Sequence, residues 1–404
     1  MNILFLSLFS FHSINDRGIY PDLLREFKKN HHIIYILSPI EKSLDKKELI
    51  ICEENLRIVR VATGKIQKTN IIQKGINTLL IEKRFIKAIR KNFSTVRFDL
   101  VLYTTPPITF ANVVKYIKKR DNAKTYLMLK DIFPQNAVDI GMMSSTGFMS
   151  LPYRYFRVKE KKLYAISDRI GCMSPANETF IIAHNPEIPV EKVKLCPNCI
   201  EVHDLSLTSS ERDKIRKKYE LPLDKKIFVY GGNLGKPQGI SFIIKCLKTQ
   251  IDNPNVFFLI IGSGTEYGKL QGFFDETRPC NMRLQGKMSK EDYDNMIASC
   301  DIGLIFLDHK FKIPNFPSRI LSYMQAGLPV LACTDPNTDI GRIIVEGGFG
   351  WWCESDDVEK FVEIVEKIIN ENLRAIGKKG FQYLNKHWNV KEQYFQIIKE
   401  IGMI

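Results

Sequence analysis

The chain has 404 residues, more than one hydrophobic core usually covers, so two domains of roughly 200 residues each are expected. With 44% hydrophobic and 26% charged residues, the composition is that of a soluble globular protein, and nowhere do about 18 apolar residues run together to cross a bilayer. A net charge of +14 and a pI near 9.2 call for an anionic partner, with nucleic acid, anionic lipid and phosphorylated small molecules all open.

Nine cysteines, odd in number and scattered, do not make a disulfide framework and favour a reducing compartment. Cys196-Pro-Asn-Cys199 lies near His203, but only a distant residue such as His184 could complete a zinc site and no second Cys-x-x-Cys exists. Buried structural cysteines are the better reading, and no metal site is expected. Met1 to Phe11 has no basic start and no small-residue cleavage pattern after it, so it reads as a buried first strand rather than a signal peptide.

In chain order, a strand over Asn2–Phe9 leads into a loop with His12, Ser13 and Gly18, a helix over Tyr20–Lys29 and a strand over His31–Leu37. That order opens a doubly wound α/β domain, whose ligands bind beyond the carboxyl ends of the strands. His12, Ser13 and Gly18 therefore lie at a crevice, with His12 equally a loop residue or a catalytic one. Residues 70–93 keep Ile72, Ile76, Leu79, Leu80, Ile86, Ile89 and Phe93 at helical spacing, with Lys74, Lys83, Arg84, Lys87, Arg90 and Lys91 opposed only by Glu82. Such a basic amphipathic helix either presents a solvated face or meets anionic lipid. Strands over Asp99–Thr104 and Thr125–Leu129 follow, and the second ends in Lys130-Asp131-Ile132-Phe133-Pro134. Residues 147–157 (GFMSLPYRYFR) suit either an exposed loop at a membrane interface or a helix start packed on its own domain. Strands at Asp168–Met173 and Val193–Leu195 and the turn at Pro197-Asn198 close the first domain, and the polar stretch Glu201–Arg216 reads as a linker.

The second half repeats the pattern. Lys226–Tyr230 is a strand, Gly231 to Gly239 (GGNLGKPQG) a glycine-rich turn and Ile240–Leu247 a helix. Val256–Ile261 is a buried strand ending in Gly262-Ser263-Gly264. Met282–Gln285 leads to Gly286-Lys287, Glu291–Ala298 is helical and Ile302–Leu307 is a strand. The only Asp-x-Asp, Asp292-Tyr293-Asp294, falls in that helix and reads as a solvated face. Next comes Asn315 to Val330 (NFPSRILSYMQAGLPV), in which Pro317 suits the first helical position, Ser318 and Arg319 fall in the first turn, and Gly327 and Pro329 end the helix before a strand at Val330–Ala332. A helix N-terminus beside an arginine suits a phosphate. Four successive strand ends carry glycine, lysine or arginine, which places them on one crevice wall. Phe381–Glu400 is a terminal helical segment; residues 385–404 are expected to pack back on the first domain.

On Asp131 to Pro134, Pro197-Asn198, GGNLGKPQG, IIGSG, SCDIGL and PSRILSYMQAGLPV in this order and spacing, nearly the whole chain resembles the retaining GT-B glycosyltransferases of family 4, in the branch that builds bacterial O-antigen and capsule. The resemblance implies an α/β fold of two Rossmann-like domains facing across a cleft, residues 1–203 binding the acceptor and 204–384 the nucleotide-diphosphate sugar, most often a UDP-sugar. It implies hexosyl or N-acetylhexosaminyl transfer with retention of configuration, to a lipid-linked (polyprenyl diphosphate) saccharide, by a cytoplasmic protein peripheral on the inner face of the membrane. The anionic membrane surface would be met through helix 70–93 and loop 147–157. Neither cofactor nor metal is implied, because lysine, arginine and a helix N-terminus can hold the developing diphosphate charge.

Carried onto this sequence, Arg319 and Lys236 serve the diphosphate, while Gly232, Asn233, Gln238, Gly262, Gly264, Lys287, Asn315, Phe316, Pro317 and Ser318 line the donor site, with Ser318 offering main-chain N–H contact. Ser322 faces the ribose, Asp131 and Lys130 are catalytic candidates on the acceptor side, and His12, Ser13 and Gly18 also lie on that side. Pro314 and Ser322 occupy positions where the family often has two glutamates; Asn233 and Gln238 match its usual arginine and lysine; Lys130 matches a common histidine. The alternatives are a sugar-nucleotide epimerase or hydrolase on the same scaffold, and a nucleic-acid binder. The charge suggests the second, but no stacking module or zinc finger supports it.

Overall fold

The protein is described by a computed structural model over residues 1–40, 49–63 and 71–403. Residue 70, the first of the basic helix expected at 70–93, lies outside the described residues. The chain divides into two compact units, Met1–Glu201 with Val390–Ile404, and Val202–Asn389.

The first unit is built on β1 (Asn2–Leu6), β2 (Ile33–Ile40), β3 (Leu49–Glu53), β4 (Leu56–Ala62), β5 (Leu100–Thr104), β6 (Lys124–Leu129), β7 (Arg169–Cys172) and β8 (Val193–Leu195). The sheet runs β3-β4-β2-β1-β5-β6-β7-β8, parallel throughout except for the antiparallel β3–β4 pair. Strands such as LVLYT of β5 are buried along their whole length. Helices cover both faces of a parallel sheet, so its strands lack polar alternation.

The second unit is built on β9 (Lys226–Asn233), β10 (Val256–Ser263), β11 (Met282–Gln285), β12 (Ile302–Phe306), β13 (Val330–Thr334) and β14 (Gly350–Glu354), ordered β11-β10-β9-β12-β13-β14 and paired in parallel. Its core joins Phe228 and Phe258, stacked at 5.0 Å, to Phe361, Ile364, Val365 and Ile368. Those four lie at helical spacing on the buried face of the helix Val358–Ile369.

Two expectations need correction. The stretch read as a linker contains a helix over Ser209–Lys218, started by a capping box between Thr208 and Glu211. Its inward face is cationic: Arg216 donates to Asp301 Oδ2 at 2.6 Å and to Ser299 O at 2.9 Å, and Arg212 also pairs with Asp301. A helix docked by arginines has no apolar stripe to betray it. The terminal segment read as one helix is two, Leu373–His387 and Val390–Glu400, broken at the non-helical Trp388. The first belongs to the second unit and the last to the first unit, where Ile397 and Ile398 share a core with Leu23, Leu24 and Phe27. Tyr394 meets the Phe27 ring edge-on at 4.9 Å.

Candidate functional site

In the second unit the glycine-bearing strand ends lie side by side. Gly232 is opposite Gly262 and Asn233 opposite Ser263 where β9 pairs with β10, and β11 ends at Gln285 opposite Ile261, just before Gly286-Lys287. The glycines permit the turns to touch. A Cβ on Gly262 would lie 1.9 Å from Gly232 O, and one on Gly264 2.2 Å from Leu234 O, both far inside van der Waals contact. Gln238 accepts from Asn233 Nδ2 at 2.9 Å and from Gly235 N at 3.1 Å. The Asn233 and Gln238 amides therefore brace the glycine turn against itself.

Arg319 opens the helix Arg319–Gln325. The helix starts two residues later than Pro317, the expected first helical position; Ser318 is exposed and its side chain makes no capping bond. The Arg319 guanidinium lies over the Tyr230 ring, 4.3 Å from its centroid, and a Cβ on Gly232 would be 3.3 Å from its Cζ. Tyr293 and Tyr323 carry the rest of the enclosure: a Cβ on Gly231 would strike the Tyr293 hydroxyl at 2.1 Å. Burial raises the Tyr293 pKa to about 12, so all the charge among these groups is on the arginine. The Tyr323 hydroxyl accepts from Gly231 N and donates to Leu304 O, each at 3.1 Å. Arg319 Nη1 is buried and has no hydrogen-bond partner, and among the described residues no carboxylate pairs with this side chain. A withdrawn cation with an unused donor is poised for an anion. The three tyrosines are absent from the site expected on sequence; Tyr230 immediately precedes the glycine pair, but Tyr293 lies between two aspartates that draw attention instead.

The loop from β12 to this helix is clamped from β13. Asp335 accepts from Thr338 Oγ1 at 2.9 Å, from Thr338 N and from Asn337 N. Thr338 Oγ1 accepts from Asn315 N at 3.0 Å, and Asn337 Nδ2 donates to Phe311 O at 2.8 Å. Burial raises Asp335 to about 6 against its hydrogen bonds. Phe316 is buried edge-on against Trp388 at 5.3 Å. Lys236 and Lys287 are exposed and Ser322 and Pro317 half-buried.

In the first unit, β1, β5 and β6 are neighbours, so the loops after them share one edge of the sheet. Lys130 is spent on main chain: its ammonium donates to Cys196 O at 3.1 Å and Pro197 O at 3.4 Å. Cys196 and Cys199 pack in the core, and burial raises the Cys199 thiol above its ordinary range. Asp131 accepts from Asn136 Nδ2 at 2.6 Å, and its main chain is tied to Thr105 Oγ1. The protein atoms around its carboxyl raise it to about 6, although the residue keeps some surface. His12 is exposed, Ser13 Oγ accepts from Asn15 N at 3.1 Å, and Gly18 N donates to the buried Asp22 at 3.0 Å. The latter two shape the loop. Beside Asp131, Ile132, Pro134, Gln135, Tyr153, Arg157 and His184 help line a cavity of about 370 Å³ including its mouth. Arg157 is held there by Glu160 at 2.5 Å and Asn185 Oδ1 at 2.7 Å.

Residues 211–382 match the family described as glycosyl transferases group 1. Among curated relatives, the "Probable glycosyltransferase WbjE" of Pseudomonas aeruginosa is 23% identical over 77% of this chain and 75% of its own. Among solved structures, Anabaena HepE in complex with UDP-glucose aligns with a TM-score of 0.70 at 14% identity, over 100% of both chains. WaaG, "a glycosyltransferase involved in lipopolysaccharide biosynthesis", aligns with a TM-score of 0.67 at 13% identity, over 99% of each. At those identities the structures speak for the fold, which is the GT-B fold of two Rossmann-like α/β units. The match over residues 211–382 takes in the glycine turns, the tyrosine enclosure and Arg319.

Proposed function

We propose that this chain transfers a sugar, a hexosyl or N-acetylhexosaminyl unit, from a nucleotide diphosphate, most often UDP, to a lipid-linked saccharide, with retention of configuration. The observation that carries the reading is Arg319 Nη1, buried and unpartnered beside the strand-end glycines of a group 1 region. The bond from the anomeric carbon to the diphosphate oxygen breaks as the acceptor hydroxyl attacks on the same face; its proton leaves with the diphosphate. Negative charge grows on the diphosphate, and preorganised donors aimed there lower the barrier. Arg319 is assigned this role, with exposed Lys236 and the main-chain N–H groups of Phe316 and Ser318 around the phosphates, Ser322 toward the ribose and Lys287 at the rim. On this reading activity persists in a chelator. Asp131 is assigned to the acceptor side and Lys130 to bracing the loop beside it.

HepE has been solved in complex with UDP-glucose and WaaG is involved in lipopolysaccharide biosynthesis, which supports a UDP-sugar and a bacterial surface-polysaccharide acceptor. No helix among the described residues is long and apolar enough to cross a membrane, and the acceptor's lipid is proposed to be met from the inner face of the bilayer. The test is UDP release from a panel of UDP-sugars with and without a polyprenyl-linked acceptor. Release that requires the acceptor is expected; release without it would favour a hydrolase.

A further inference from the structure

The segment 147–157, read in sequence as either a loop or a helix start, is a short 3-10 turn over Phe148–Ser150 followed by a helix over Leu151–Ile166. The helix is amphipathic in an unusual sense. One side, with Tyr153 and Arg157, lines the cavity beside Asp131. Another side turns its apolar residues outward: Phe148 is 98% exposed, Leu151 68%, Val158 53% and Tyr155 41%. Their spacing of three, four and three residues puts them in one stripe. A cluster of this kind on a protein surface marks a contact, because the same side chains would otherwise sit in the core.

The charges on that stripe say what covers it. The helix LPYRYFRVKEKKLYAI carries five basic residues and one acidic. Arg157, Lys159 and Lys161 are taken by Glu160, Glu82 and Glu187. Arg154 and Lys162, three residues after Leu151 and four after Val158, are exposed and form no ion pair among the described residues. The Lys159–Glu82 pair, at 3.4 Å, joins this helix to the helix Ile71–Asn92, which adds exposed Lys83, Lys87 and Arg90. The two basic segments of the sequence are thus neighbours. A second copy of the chain would bring like charge against like, whereas an anionic bilayer surface accepts apolar side chains below the headgroups and snorkelling cations at the phosphates.

We infer that Phe148, Leu151, Tyr155 and Val158, rimmed by Arg154 and Lys162, form the face by which this protein inserts into anionic lipid. The inference deepens the membrane part of the proposed function and rests on it for its purpose, but the binding itself needs no sugar transfer. Insertion here brings to the headgroups the helix whose other side, with Tyr153 and Arg157, lines the cavity.

The test is co-sedimentation of the full chain with vesicles of phosphatidylethanolamine and phosphatidylglycerol, and with phosphatidylcholine alone. Binding to the first and little to the second is expected. Combined Phe148→Ser, Leu151→Ser and Val158→Ser substitution should lower partitioning by up to about a thousandfold, since each apolar side chain buried carries roughly a factor of ten. Arg154→Gln with Lys162→Gln should weaken binding at low salt and lose its effect at high salt. All these side chains are exposed, so thermal stability and any nucleotide-induced thermal shift should match the wild type. Failure to bind anionic vesicles, binding indifferent to the triple substitution, or a dimer in free solution that the triple substitution breaks would each overturn the inference. Vesicle binding that survives while no nucleotide sugar stabilises the protein would instead overturn the proposed reaction and leave the lipid face standing.

Discussion

The guanidinium of Arg319 rests on the ring of Tyr230, 4.3 Å from its centroid, with one terminal nitrogen buried and unpartnered. The stacking fixes the plane of the cation and leaves its donors to a ligand. Arg319→Ala is therefore expected to reduce turnover by roughly 100-fold, the scale for loss of one preorganised donor to developing charge. Folding should survive, and Arg319→Lys should restore little, because a point charge neither stacks nor presents a planar fork. Steady-state kinetics alongside a thermal melt checks this; wild-type turnover in the folded alanine variant would remove Arg319 from the mechanism.

Gly262 is set by close approach, with a Cβ falling 1.9 Å from Gly232 O. Gly262→Ala must push the β9 and β10 turns apart, and a cost of about 1–3 kcal/mol is expected from such overpacking. The same displacement should weaken nucleotide binding. Chemical denaturation and a nucleotide titration of one variant report both.

Asp335 clamps the loop leading to Arg319 through Thr338 and Asn315. Burial raises it from its ordinary 3.8 to about 6 in the folded protein, and Asp131 is raised to the same extent. Between those values the folded state binds more protons than the unfolded one, so this contribution to stability is complete below about 3.8 and is lost as pH rises through about 6. Asp335→Asn should flatten that part of the stability profile, measured by urea unfolding at a series of pH values. An unchanged slope would show that the carboxyl does not titrate there.

Asp301 is nearly enclosed, receiving Arg216 at 2.6 Å, Arg212 and the main-chain N–H of Ile227 at 2.7 Å. Arg216→Ala leaves Asp301 with Arg212 and the Ile227 N–H, so it should destabilise the second unit by about 1–3 kcal/mol, short of the roughly 3–5 kcal/mol for a fully stranded charge. Local hydrogen exchange in Ser209–Lys218 would rise with it. A variant as stable as the wild type would mean that the helix docks by other contacts.

That Arg216 pair also shows where the sequence stopped being informative. The alternation of buried strands and helices was legible because LVLYT, VFFLII and similar runs are apolar throughout, as a sheet covered on both faces requires. The helix Ser209–Lys218 was not, because it docks through arginines, and its serines and charges look like a tether. The hairpin β3–β4 was missed as well: LIICE of β3 is largely exposed. Strand β14 and the helix Val358–Ile369 also went unread, although the second keeps a regular apolar stripe. At the site, the glycines and Arg319 stood out by residue type. Tyr230, Tyr293 and Tyr323 come from three separate elements, and only folding brings them around one guanidinium. Lys130 looked available in sequence, yet its ammonium is occupied by Cys196 O and Pro197 O, an arrangement that no spacing announces.

The central claim is that Arg319 and the turns beside it hold a nucleotide diphosphate sugar. It is tested most directly by thermal shift of wild type and Arg319→Ala against UDP, other nucleoside diphosphates and their sugars, because a ligand at about 100 times its Kd stabilises by about 2.7 kcal/mol. The account predicts a clear rise in Tm for the wild type with at least one nucleotide sugar and a much smaller rise for the variant. No rise with any of them, or an equal rise in both proteins, would contradict it.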